Sequence, residues 1–397
     1  MRTSRLWIFV LVLTVSAISP SAALATASYS WPQFQYGYTH SGFNPWEEIL
    51  DKENVGGLSV EWARPLGQTV YGTPIVSGGR VFAAGYDGAL FALRGRDGRV
   101  LWTANVGLPM TTTTPVVYKG LVIAAGGRWD KGGIVAAFDV RTGQRRWATQ
   151  VPAGVDVSFP VLYGGRLYMG ADGAIYALSA ATGEILWSRF LRGGWESGIS
   201  GPVAVSGGGL YVIAATADGY LYGVSRSSGQ VVWSRKLGGG VWRGSTAIWH
   251  GIGYIANSDQ YVEGGGFRLY AFQVSNGRLL WSRECGDDVH VTPTAGDGLV
   301  YIGAINGTMH AIDAHTGAVR WVVYVPGEVW SSAALANGVL YAGTEYGVVA
   351  LDADTGRELF RATIAEGFMN MSSPAVTGGR LYIGSGEGNV WAFGLPD

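Results

Sequence analysis

Apolar positions along this chain come in short runs separated by glycine-rich turns, with no stretch that keeps a helical period. One stretch shows the grammar. Thr73-Pro74-Ile75-Val76 reads as a short first strand, and Ser77-Gly78-Gly79 as a turn. Arg80 to Ala84 alternates as a second strand, and Tyr86-Asp87-Gly88 makes a hairpin because Asp-Gly tolerates the positive φ such turns need. Ala89 to Leu93 is a third strand, Arg96-Asp97-Gly98 turns again, and Arg99 to Ala104 is a fourth strand carrying Trp102. The unit restarts at Thr114-Pro115, Phe159-Pro160, Gly201-Pro202, Thr246-Ala247, Thr292-Pro293, Ser332-Ala333 and Ser373-Pro374.

An aromatic marks the end of each unit. Trp62, Trp102, Trp147, Trp187, Trp233, Trp281 and Trp321 recur at roughly forty to forty-eight residues, and Phe360 continues the series. Four are preceded by a Thr-Gly turn, in Asp139-Val-Arg-Thr142-Gly143, Ala181-Thr182-Gly183, Asp313-Ala-His-Thr316-Gly317 and Asp352-Ala-Asp-Thr355-Gly356, with weaker copies at Asp97-Gly98, Ser228-Gly229 and Asn276-Gly277. That period is the length of one four-stranded propeller blade. After Phe360 the chain supplies three strands, whereas Leu58 to Ala63, with Trp62, is a fourth strand with none before it. The expected fold is therefore all-β: an eight-bladed β-propeller, four antiparallel strands per blade, with the ring closed by an N-terminal strand that completes the last blade. Closure of this kind leaves no long sheet edge exposed.

These Ala/Asp-x-x-Thr-Gly-x-x-x-Trp repeats resemble those of the pyrroloquinoline-quinone (PQQ) repeat propellers, the group that holds quinoprotein dehydrogenases and BamB-like outer-membrane assembly factors. The resemblance covers about Trp31 to Phe393, and the leading Trp31-Pro-Gln-Phe-Gln-Tyr-Gly-Tyr-Thr-His-Ser-Gly-Phe-Asn-Pro45 looks like the start of secreted bacterial members. It implies that the repeated Trp62, Trp102, Trp147, Trp187, Trp233, Trp281 and Trp321, with Phe360, dock blade on blade. It leaves function open, because one fold hosts many activities.

Composition narrows the function classes. The chain has 63 glycines and 16 tryptophans, 14% charged residues and a formal net charge of −1. This balance offers no basic surface for nucleic acid or an anionic membrane. No phosphate-cradling loop, nucleophile elbow or zinc spacing is present. Cys285 is the single cysteine, so no intramolecular disulfide forms, and it reads as a small buried filler. At the N-terminus, Arg2 and Arg5 precede an apolar run from Leu6 to Ile18, and Ala23-Leu24-Ala25 gives a small-x-small site. Residues 1–27 are read as a cleaved secretory signal, 28–57 as a lead-in and 58–397 as the propeller, with an uncleaved anchor as the alternative. The expected location is extracytoplasmic, secreted or in the cell envelope, with no cysteine near the cleavage site to take a lipid. The mature chain is expected to be monomeric and to contain no membrane span.

The repeats differ on one face only. The Thr-Gly turns lie on one side of a propeller, and the segments between blades lie on the other. Those segments carry Tyr71, Asp156, Trp195, Glu196, Trp242, Arg243, Asp288, His290, Glu328, Trp330 and Asn370, which should ring one mouth of the central channel. Two longer hairpin loops, with Trp129-Asp130-Lys131 and Asp259-Gln260-Tyr261-Val262-Glu263, share that face. Stacking surfaces beside convergent polar groups suit a flat polar ligand or a protein partner. A Ca²⁺ ion would need several oxygens, which Asp156, Glu196, Glu328 and Asn370 could supply only if brought close. As loop positions they are expected to be exposed and of little weight for stability. The reading is an exported, non-catalytic binding propeller with no assigned cofactor or catalytic residue. The alternative is a dehydrogenase with PQQ and Ca²⁺ on the axis.

Overall fold

The computed structural model describes residues 29–396, except 110–112, 129–131, 153–157, 193–197, 200, 258–266 and 365–370. It contains eight sheets, each built on four antiparallel strands, and they form an eight-bladed propeller. Blade 1 runs Ile75–Ser77, Arg80–Ala84, Ala89–Arg94 and Val100–Asn105 from the axis outward. Blade 8 takes Ala375–Thr377, Arg380–Gly384 and Asn389–Gly394 from the end of the chain, and its outer strand is Ser59–Pro65. Ser59 pairs with Gly394, and Pro65 with Asn389. The ring is thus closed by a strand from the front of the chain, as the strand count anticipates.

The middle strands of each blade are buried on both faces, and their small and branched residues form seven apolar clusters between adjacent blades. The outer strands are largely exposed, with the docking tryptophan half-buried among exposed neighbours. Cys285 lies in one of these clusters, and burial pushes its thiol up to about 11.

Blades dock through a repeated contact. The indole N–H of Trp62 donates to Gly95 O at 2.9 Å in the next blade. Trp102 donates to Val140 O, Trp187 to Arg226 O, Trp233 to Val274 O, Trp281 to Ala314 O and Trp321 to Ala353 O, at 3.0–3.2 Å. Trp147 Nε1 is buried without an acceptor. Phe360 has no N–H and packs edge-on against Phe393 at 6.0 Å. Each tryptophan ring lies against the glycine of the turn between the third and fourth strands of the next blade. At Gly143, φ is +72° and a Cβ would come within 2.7 Å of the Trp102 ring.

That glycine is therefore required twice, for backbone conformation and for space. Gly143→Ala should lower unfolding stability by roughly 2 kcal/mol, against about 1 kcal/mol for Gly120→Ala. Gly120 shares the positive φ but has nothing within 4 Å of its Cβ position. Equal losses in urea titrations would show that the ring contact carries no weight.

The lead-in does something the strand pattern does not suggest: it threads the axial channel and touches all eight innermost strands in order. Trp31 and Val76 exchange two backbone bonds at 2.9 Å in blade 1. Val117 N donates to Pro32 O in blade 2, at 3.4 Å. The Gln33 amide bonds both N and O of Leu162 in blade 3, at 2.9 and 3.3 Å. Val205, Ile248, Ala295 and Leu335 N–H groups of blades 4 to 7 donate to the carbonyls of Tyr38, Thr39, Ser41 and Gly42, at 2.7–2.8 Å. Asn44 Nδ2 donates to Val376 O of blade 8 at 2.8 Å. Phe43–Asn44 even adds a parallel fifth strand beside Ala334–Ala336.

The physical reason is the inner edge of each blade. Eight short edge strands face the axis with backbone groups that need partners. One coil of chain supplies them, and Trp31, Gln35, His40 and Asn44 are fully buried in doing so. Three of its non-glycine residues sit in the left-handed region, with φ of 50° at Gln35, 68° at Tyr36 and 52° at His40. Such conformations persist where surrounding contacts over-determine them.

Candidate functional site

The coil fills the channel but leaves a shallow vestibule at the inter-blade mouth. Its volume is about 60 Å³, and its lining includes Phe34, Tyr71, Phe159, Arg243, His290 and Trp330. Phe34, from the coil, forms the floor. It packs on Phe159 at 4.6 Å and edge-on against His40 at 5.2 Å. Below it His40 Nδ1 lies 2.9 Å from Ser245 Oγ, and complete burial pushes the imidazole down to about 3.

A belt of hydroxyls braces the wall. Thr73 N–H donates to Thr114 Oγ1, Ser245 N–H to Thr292 Oγ1, Thr292 N–H to Ser332 Oγ, and Ser332 N–H to Ser373 Oγ, all at 2.9–3.0 Å. These residues occupy the same place in successive blades, so each hydroxyl ties one blade to the next. Tyr71 comes from the segment that precedes the first strand of blade 1, and it packs edge-on against Tyr86 of that blade's hairpin at 6.4 Å.

Among the sequence-derived candidates, the structure brings Tyr71, Arg243, His290 and Trp330 to the vestibule. Asp288 and Glu328 stand behind them. Asp288 Oδ2 is 2.8 Å from His290 Nε2, and Glu328 Oε2 accepts the Trp330 indole N–H at 2.6 Å. The His290 and Trp330 rings stack at 5.0 Å and 21°. Trp242 is half-buried beside them and does not line the vestibule. Asp156, Trp195, Glu196 and Asn370 lie outside the described residues, as do the two longer hairpin loops.

Two expectations change. Asp288 and His290 are not exposed loop residues: their side chains are 2% and 15% accessible. A loop position can be buried when the blade behind it offers a partner, and here each residue is the other's partner. Arg243 is exposed, with φ of 58°, at the tip of a tight turn closed by Gly244 N–H on Trp242 O at 2.6 Å. Its guanidinium reaches Met371 Sδ of blade 8 at 3.2 Å, so it bridges from blade 5. Sequence reasoning missed Phe34, His40 and the hydroxyl belt. The Thr/Ser that recurs three residues before the middle of the first strand in blades 1, 2 and 5 to 8 was the available signal for the belt.

Fold and mouth together define a repeat propeller with a filled axis and one differentiated face. The sequence model of the family described as outer membrane protein assembly factor BamB, built on PQQ-type repeats, matches residues 59–159, 153–240 and 235–396. This chain belongs to that family. It is 26% identical over 286 residues to outer membrane protein assembly factor BamB of Yersinia pestis, covering 65% of this chain and 69% of that one. It is 25% identical over 375 residues to tetrathionate hydrolase of Acidithiobacillus ferrooxidans, covering 84% of this chain. The match spans 66% of that relative, just under two thirds of its length. Quinohemoprotein alcohol dehydrogenase from Comamonas testosteroni shares the fold, with a TM-score of 0.69 at 16% identity over 96% of this chain and 82% of that one.

Proposed function

We propose that this chain is an exported, non-catalytic binding propeller that engages a protein partner or a small polar ligand through its inter-blade face. The observation that carries it is the contrast between the two faces. The Thr-Gly turns are near copies held by the same contacts, as at Asp139 and Asp313, whose carboxylates accept from Thr142 and Thr316. The opposite mouth gathers unlike side chains around an Arg243 that no carboxylate among the described residues neutralises. Kinship with an outer membrane protein assembly factor supports a binding role and an extracytoplasmic location. Residues 1–27 as a cleaved signal and a monomeric 58–397 propeller belong to the same reading. Among the described residues no helix is long and apolar enough to cross a membrane.

The dehydrogenase alternative has the fold likeness to the quinohemoprotein enzyme on its side. The described part of the vestibule is small for its cofactor. Ligand pockets usually run to about 300 Å³ or more, whereas the vestibule offers about 60 Å³ above a floor of Phe34.

Cross-linking in the cell envelope tests the binding reading. Arg243→Glu should reduce the cross-linked partner at least about fivefold. Arg141→Glu, on the Thr-Gly face, should leave it unchanged, and both variants should melt like the parent. Equal capture by the two variants would remove the mouth from the reading. Added PQQ with Ca²⁺ should give no saturable calorimetric signal, and a saturable one would favour the dehydrogenase.

A further inference from the structure

His290 is held with half of its hydrogen bonding unmet. Its Nε2 faces Asp288 Oδ2 at 2.8 Å, and a carboxylate only accepts, so Nε2 carries the proton. Nδ1 of the neutral ring is then a lone pair. That atom is buried and has no partner among the described residues, although its residue lines the vestibule. The neighbouring Trp330 cannot serve it, because the indole N–H is already given to Glu328. A buried acceptor without a donor is unfavourable, and a ligand donor relieves it.

Arg243 presents the complementary demand. Its side chain spans the mouth from a strained backbone, and among the described residues its side-chain hydrogen bond is to the Met371 thioether, which cannot neutralise a guanidinium. A planar fork of donors in this position suits a carboxylate. The same vestibule is lined by Thr114, Ser332 and Ser373, whose oxygens accept backbone N–H groups and whose O–H protons have no acceptor among the described residues. The available space holds roughly four to six water-sized groups, which limits the ligand to a few heavy atoms.

We propose that the vestibule binds a short hydroxy carboxylate, with its carboxylate on Arg243 and its hydroxyl donating to His290 Nδ1. This rests on the reading of the inter-blade mouth as a binding face and names the ligand chemistry of that mouth. Asp288 is a positioning residue: it fixes which imidazole nitrogen bears the proton and so makes the site ask for a donor.

Calorimetric titration of the exported chain with lactate, and with propionate as the same acid lacking the hydroxyl, tests this. Lactate should bind at least about tenfold tighter. Arg243→Met should abolish binding of both acids. Asp288→Asn, nearly isosteric, lets the proton move to Nδ1, so the lactate preference should fall to about unity while propionate binding stays within about twofold. Circular dichroism and melting establish that each variant is folded, and the wild-type comparison stands even if one is not. Equal affinity for lactate and propionate, tighter binding of sulfate or tetrathionate, or no binding at about 10 mM ligand would overturn the proposal. If those results appear while Arg243→Glu still loses its cross-linked partner, the ligand assignment falls and the binding face stands.

Discussion

Removing residues 29–46 while keeping the closing strand Ser59–Pro65 is expected to prevent folding. The deletion leaves the ring closed but strips the axial coil from all eight inner strands. Each backbone hydrogen bond lost is worth about 1 kcal/mol, and losing the buried bulk of a side chain such as Trp31 or Phe34 costs about 3–5 kcal/mol. Their sum reaches or exceeds the roughly 5–15 kcal/mol of net stability a domain has. The exposed inner edges would then pair between molecules, so inclusion bodies or soluble aggregates are expected. A peptide of residues 29–57 added during refolding should restore a soluble monomer. If the truncated chain is monomeric by light scattering and melts at the parental temperature, the coil is an ornament and the ring alone holds the fold.

Stability should fall steeply in mild acid, and His40 should be a main cause. The imidazole is fully buried between Phe34 and Ser245, and burial lowers its pKa to about 3. In the unfolded chain it titrates near its usual value of about 6.5. Between those limits the unfolded state binds the extra proton, so the folded state loses ground as pH drops. The contribution is complete above about pH 6.5 and declines by about 1.4 kcal/mol per pH unit below it, roughly 3 kcal/mol by pH 4.5. Urea titrations at pH 7.5 and 4.5 measure this. His40→Asn keeps a residue that tolerates the left-handed φ of 52° but cannot titrate. Its stability should change less between the two pH values by about that amount, whatever its absolute level. A variant with the parental pH slope would show that His40 takes up its proton without cost.

Much of the architecture was legible in the chain because it is periodic. A tryptophan at every fourth strand, a Thr-Gly turn before it and a Pro or Ala after each restart give the blade, the count of eight and the missing strand that Trp62 supplies. The contacts confirm why that signal is strong: the indole of one blade and the glycine of the next meet at van der Waals range, so both must recur. The candidate mouth was legible only as a set of positions. Loop placement identified Tyr71, Arg243, His290 and Trp330 as neighbours-to-be, but it could not say that Asp288 would be buried under His290 or that Trp330 would spend its N–H on Glu328.

Local sequence thus determined what repeats: strand length, turn chemistry, and the aromatic–glycine pair that joins blades. Tertiary structure decided what occurs once. The lead-in has no strand period and no charge pattern, because the hydrogen bonds that fix its course go to eight different strands spread over about three hundred residues, and those inside its own segment only close short turns. Its course exists only when the ring is present to supply the partners. The same holds for the vestibule, whose floor comes from Phe34 and whose walls come from blades far apart in sequence. Periodic contacts can be read from spacing, since the physics that makes them is repeated along the chain. A coil pinned to a closed ring cannot, since closure is what creates its binding edge.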